Sequence, residues 1–243
     1  MRFLLTNDDG IQAPGLALLE SLAGELGDVT VVAPDRHLSG CSHRVTVDAP
    51  LVAEPRGPNR FALNGTSADC TRIALVELGV EADWVLSGIN DGANLGVDVY
   101  MSGTVGAVRE AGLFGVPGMA LSLYRHYNGP FDWGTLTGTA RRILAELITR
   151  QLDPGGYLNV NFPDPRDAGD DSKLVICPLD PHPLPVAYVP AGQGVRYQID
   201  YHQRSRDPGT DVDVCFSGQV AVTEVLPTCA SHARADSAWL RQE

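Results

Sequence analysis

The chain reads as an α/β protein built on a mostly parallel sheet, and three observations lead there. An apolar run, Phe3-Leu4-Leu5, stops abruptly at the polar turn Thr6-Asn7-Asp8-Asp9-Gly10. An apolar stripe with a 3.6-residue period follows, and after it a second apolar run, Val29-Thr30-Val31-Val32-Ala33. That order is a β-α-β unit, whose strands run parallel through a right-handed crossover. With 243 residues, 44% of them hydrophobic, the chain has apolar material for one large core or two modest ones. The expected organisation is one α/β core over residues 1–163. A β-rich extension over 164–243, not an independent domain, follows it.

The elements can be justified in order. Pro14 suits the first turn of a helix carrying Leu16, Leu19, Leu22, Ala23 and Leu26, and Gly27-Asp28 ends it. Pro34-Asp35 stops the second strand, and residues 35–44 leave its carboxyl end as a polar loop. Residues 45–63 alternate irregularly around Pro50, Pro55 and Pro58, as short strands joined by turns do. Gly65-Thr66-Ser67 caps a helix through Ile73, Leu75, Val76 and Leu78. Trp84-Val85-Leu86 is a strand that empties at Ser87 into a loop rich in Gly and Asn, ending at Gly96. Ser102-Gly103-Thr104 opens a helix over 105–113, residues 119–123 form a strand, and 133–152 form a long helix. Residues 157–161 are the last core strand, stopped by Phe162-Pro163. Beyond Asp164, Leu174-Val175-Ile176 and Val220-Ala221-Val222 are short β pieces, 188–215 is an extended arm of the kind that packs on another subunit, and Ala238-Trp239-Leu240 is a terminal helix.

Composition excludes several functions. Eighteen Lys+Arg against 30 Asp+Glu give a formal charge of -12, which argues against a partner with a polyphosphate backbone such as polymeric nucleic acid. Lys173 is the only lysine, so the phosphate loop GxxxxGK[ST] is missing and so is a Schiff-base lysine in the first two-thirds of the chain. Phosphate, if bound, must be held by metal, backbone N–H groups and hydroxyls. Five cysteines with no CxxC pairing read as reduced thiols. No signal peptide or membrane span is evident, so a cytoplasmic protein without membrane contact is expected.

The chemistry gathers where the first strand stops. Consecutive strand residues point to opposite faces, so Asp8 and Asp9 converge on one ligand only if the backbone has left the pleat, which Gly10 permits. Adjacent carboxylates repel, and a divalent cation between them is the simplest remedy; an exposed acidic turn capping the next helix is the plainer alternative. Ser39-Gly40 offers a hydroxyl at the same edge, and Asn90 a neutral amide oxygen of the type hard cations accept. His37 and His43 resemble ligands, although lone loop histidines are more often solvated. Ser102-Gly103-Thr104 is either a common N-cap or an anion site at a helix start. A haloacid-dehalogenase phosphatase would need Asp-x-Asp at the strand end, which Asn7-Asp8-Asp9-Gly10 is not, and a signalling receiver would need a phosphoacceptor Asp after a middle strand and a lysine late in the sheet, for which no suitably placed lysine exists.

Together, TNDDGIQAPGL, VVAPDRHLSGCSHRVT, GTSADC, SGINDGANLGVDVYMSGTVGAVREA and DPGTDV resemble, in order and spacing, the SurE (survival protein E) family of metal-dependent nucleotidases. The resemblance implies a Rossmann-like three-layer core. It implies one divalent cation per subunit, Mg²⁺ or Mn²⁺, and hydrolysis of nucleoside 5′- and 3′-monophosphates, sometimes also of short polyphosphate. Carried over by motif, the metal ligands are Asp8, Asp9, Ser39 and Asn90, and the phosphate neighbours are Asn94, Ser102, Gly103 and Thr104. Asp8 and Asp9 are then the catalytic pair, and adjacency alone nominates Asp9 to take a proton from water. A homodimer or homotetramer joined through the C-terminal hairpin is implied too. Leu38 stands where an arginine is common, Met101 replaces a frequent tyrosine, and 228–232 match poorly. The alternative to an enzyme is a non-catalytic metal- and nucleotide-binding regulatory module.

Overall fold

In the computed structural model, which describes residues 1–127, 129–168 and 172–226, β1 (Arg2–Thr6) lies near the middle of a nine-stranded sheet. Its parallel neighbours are β2 (Asp28–Pro34) and β5 (Trp84–Asp91). Outward from β2 come β4 (Arg60–Leu63), parallel, and β3 (Ala53–Gly57), antiparallel. Outward from β5 come β6 (Gly118–Leu123) and β7 (Tyr157–Phe162), both parallel. Six parallel strands therefore direct their carboxyl ends to a single rim.

Helices cover both faces, which is why Phe3, Leu4 and Leu5 are all fully buried and the strand reads as an unbroken apolar run. Phe3, Leu5, Val31 and Leu86 pack with α1 (Pro14–Gly24) and α4 (Thr137–Leu147). Leu4, Val32 and Val85 point the other way, onto α2 (Ser67–Val76) and α3 (Gly103–Leu113). The expected three-layer α/β core is therefore present. Thr66 caps α2 by a reciprocal pair with Asp69, while the Ser67 hydroxyl donates to Gly103 O at 2.6 Å and ties α2 to the start of α3.

Several elements differ from expectation: α2 ends at Val76 and not at Leu78, the strand over 157–161 is not the last of the core sheet, and two differences bear on the rim. β5 does not stop at Leu86 but continues through Asp91, with a register shift between Ser87 and Asn90. Gly88 makes this feasible, because it has φ +136° and a Cβ there would lie 2.3 Å from Leu121 O on β6. The expected helix over 133–152 is a 3-10 turn at Trp133–Leu136 followed by α4, which ends at Leu147. Asp132 sets that start by accepting from Gly134 N at 2.9 Å.

Past residue 164 the chain returns to the same sheet. β11 (Val220–Val225) runs antiparallel to β7, and β8 (Leu174–Ile176) lies outside β11 and parallel to it. A separate, largely exposed hairpin is formed by β9 (Tyr188–Ala191) and β10 (Gly194–Tyr197). A third apolar cluster, including Leu95, Tyr124, Val212 and Ala221, joins α5 (Asp211–Phe216) to the core. The expected helix at 238–240, with Cys229 and His232, lies outside the described residues. No helix among those described is long and apolar enough to cross a membrane, and Cys41, Cys70, Cys177 and Cys215 are free.

Asp180 and Asp211 fasten the arm to the core. Asp211 accepts from Gly96 N at 2.7 Å and Asp180 N at 2.8 Å, and Asp180 accepts from Asp207 N and the Thr210 hydroxyl, both at 2.8 Å, and from His182 N at 2.9 Å. Burial alone would push the Asp180 carboxyl up, but the donated hydrogen bonds outweigh it and hold the carboxyl below the usual range. A depressed folded-state pKa contributes stability that is present above the unfolded value, about 3.9, and is lost as pH falls through the folded one. Asp180→Asn is therefore expected to lower the urea midpoint at neutral pH and to flatten its decline below about pH 4. A pH profile parallel to that of the parent chain would count against this account.

Candidate metal and phosphate site

The turn after β1 leaves the pleat because Asn7 bridges it: Nδ2 donates to Gly10 O at 2.9 Å and Oδ1 accepts from Gly10 N at 3.2 Å. Gly10 has φ +100°, and a Cβ there would sit 3.0 Å from the Arg36 carbonyl carbon, so the loop after β2 closes directly onto the turn. Leu38 N donates to Asp8 O at 2.8 Å and Ile11 N to Pro34 O at 2.8 Å, which fixes that closure.

Asp8 and Asp9 then enter different surroundings. Asp8 is 5% exposed, accepts from the Thr104 hydroxyl at 2.5 Å, and lies so close to α3 that a Cβ on Gly103 would be 2.8 Å from its Oδ2. Ser102 caps the same helix through Val105 N at 3.1 Å. Asp9 faces the end of β5 instead, accepting from Asp91 N at 3.3 Å, with His37 Nδ1 also 3.3 Å away. Burial pushes both carboxyls above the ordinary range; the charge of Asp9 adds to the effect on Asp8, and the charge of Asp91 to that on Asp9. Thr104 and the Asp91 N–H pull the other way without cancelling it.

Ser39, Asn90 and Asn94 each have their own setting. Ser39 is exposed and follows Leu38, the residue bonded to the Asp8 carbonyl. Asn90 lies on β5 and donates through Nδ2 to Gly92 O at 2.7 Å, which leaves its oxygen as the other end of the amide. Asn94 is drawn into a buried amide network: its N–H donates to Asn161 Oδ1 at 2.8 Å and its Nδ2 to Ser122 Oγ at 2.8 Å. Its carbonyl accepts from Asn159 at 2.8 Å and Asn161 at 3.0 Å. Residues 102–104 are thus brought onto Asp8, whereas the contacts of Asn94 run to β6 and β7.

Asn159 and Asn161 were not singled out in the sequence, although two amides spaced by two in the otherwise apolar YLNVNF were the available signal. His43 pairs with the buried Glu110 at 2.6 Å, and Arg72 holds the other oxygen at 2.7 Å, so His43 secures the loop after β2 to α3.

Among the described residues no three His, Cys, Asp or Glu side chains gather where they could share an ion. A cation here would therefore rely on two carboxylates with neutral oxygens, water and a substrate phosphate, which is the manner in which Mg²⁺ is usually bound. The donor set fits a hard cation and does not suit a softer ion seeking imidazole or thiolate. Beside the pair opens a cleft of about 310 Å³ lined by Asp9, Ala13, Pro14, Gly15, His37, Asp91 and Trp133.

A family model described as survival protein SurE matches residues 3–179. A protein of a Nostoc species, named provisionally as a 5′-nucleotidase, is 44% identical over 226 residues, covering 93% of this chain and 99% of its own. The 5′-nucleotidase SurE of Nitrosococcus oceani is 36% identical over 258 residues, covering 100% of this chain and 98% of its own. In three dimensions the SurE protein of Aquifex aeolicus aligns over 100% of both chains with a TM-score of 0.83 at 28% identity.

Proposed function

This chain belongs to the SurE family, and on that premise we propose that it hydrolyses nucleoside 5′- and 3′-monophosphates to nucleoside and phosphate, with short polyphosphate as a further substrate. One divalent cation per subunit, Mg²⁺ or Mn²⁺, is held by Asp8, Asp9, Ser39 and Asn90. The observation that carries this reading is the geometry of the turn after β1, where Asp8 is held against the start of α3 and Asp9 against the end of β5. A bound divalent cation supplies Lewis-acid polarisation of a phosphoryl oxygen and makes water a better nucleophile.

The chain's own groups have separable tasks. Thr104 fixes one oxygen of Asp8 and so orients the other. The first N–H groups of α3, at Gly103 and Thr104, offer positive potential to phosphate oxygens, with Ser102 holding that turn and Asn94 shaping the neighbouring loop. Asp9 opens onto the cleft and is the carboxylate placed to take a proton from the attacking water. The exposed Val186, Tyr188, Val195 and Tyr197 of the hairpin region support assembly as a homodimer or homotetramer. The free thiols support a reducing, cytoplasmic location.

Phosphate release from AMP, measured with Mg²⁺ or Mn²⁺, then with EDTA, then with the cation restored, tests the scheme. Loss and recovery are expected, and turnover that persists in EDTA refutes it. Thr104→Val should raise the cation concentration for half-maximal activity about ten-fold or more, because it frees Asp8 to rotate.

A further inference from the structure

The cleft that shares Asp9 with the proposed cation site has a lining of two kinds, and it is where a nucleoside attached to a phosphate held at Asp9 has room. One kind is polar, formed by Asp9, His37 and Asp91; the other is apolar, formed by Ala13, Pro14, Gly15 and Trp133. Its volume of about 310 Å³ is in the range of small-ligand sites. Trp133 supplies the large flat ring of the lining, and we infer that it is the platform on which the substrate's nucleobase stacks. This rests on the nucleotidase reading and adds the group that separates nucleotides from other phosphate esters.

The ring is held in place before any ligand arrives. Phe131 meets Trp133 edge to face at 5.3 Å and 88°, and Asp132 caps the short turn that Trp133 begins. Gly15 lets the indole approach α1, since a Cβ there would lie 2.8 Å from the ring carbon Cη2. Arg125 pairs with Asp91 at 2.8 Å and stacks at 4.9 Å over Phe131, the ring that meets Trp133. A ring fixed in this way loses little freedom on binding. Arg125 pairs with one oxygen of Asp91, and a ring platform recognises the π-face that every base presents, so the site tolerates different bases.

The test compares the parent chain with Trp133→Ala and Trp133→Phe, using AMP and ribose 5-phosphate as substrates and adenosine binding by calorimetry. Trp133→Ala should raise KM for AMP and weaken adenosine by about ten-fold, with kcat and the ribose 5-phosphate constants unchanged. Trp133→Phe should recover most of the loss. Equal changes for both esters, or unaltered AMP and adenosine constants, would overturn the assignment. Should the parent chain hydrolyse neither ester, the nucleotidase reading fails; the adenosine comparison then still decides the platform, upheld by a difference between parent and Trp133→Ala and overturned by none.

Discussion

Asp9→Asn is expected to abolish phosphate release from AMP while leaving the thermal midpoint of the cation-free protein unchanged or slightly higher. Loss of a charged ligand removes several kcal/mol of transition-state stabilisation, and with about 1.4 kcal/mol per factor of ten the fall in kcat/KM should reach about a thousand-fold or more. The stability half follows from the raised carboxyl. A carboxyl whose folded pKa exceeds its unfolded one holds its proton more tightly in the native state, so stability declines as pH rises through that interval. At neutral pH the ionised Asp9 is therefore a cost, which asparagine does not carry. A phosphate assay beside calorimetric melts reads both halves; retained turnover, or a collapsed transition, would contradict the placement of Asp9.

Gly15→Ala should produce the largest loss of stability. In an ordinary helix the change would help by about 1 kcal/mol. Here the new Cβ would fall 1.9 Å from Ile89 O, a backbone atom of β5 that cannot swing aside. Forcing apart a packed helix and strand costs about 1–3 kcal/mol or more, so the clash wins. At about 2–4 °C per kcal/mol for a chain of this size, a fall in Tm of several degrees is expected by calorimetry. Because Ile89 precedes Asn90 and Trp133 borders the same glycine, activity should fall with it. An unchanged Tm would mean that α1 and β5 are less tightly apposed than this geometry requires.

Much of the core was legible because its signals are local. Phe3-Leu4-Leu5 before a polar turn, Pro14 at a helix start and Thr66 before Asp69 each announce themselves within a few residues. That Asp8 and Asp9 sit in a turn where the first strand ends was legible for the same reason. Their divergence, one onto α3 and one toward β5, was not, since it depends on Gly103 and Asp91 many residues away. The continuation of β5 past Gly88 likewise depends on the backbone of β6 lying alongside. Asn159 and Asn161 looked like strand residues, and only the folded chain shows what they hold. Trp133 read as the first residue of a helix rather than the wall of a cleft, because its neighbours Asp9, Gly15 and Asp91 come from other segments.

The insertion of β11 between β7 and β8 also orders events at the ribosome. Among the described residues, β8 is synthesised first but finds its partner in Val220–Val225, so it waits for that strand while the hairpin and α5 emerge. Until then the outer side of β7 is an open edge on a nascent chain whose six parallel strands can already be assembled, and it is there that a translating cell would need to shield the protein from self-association.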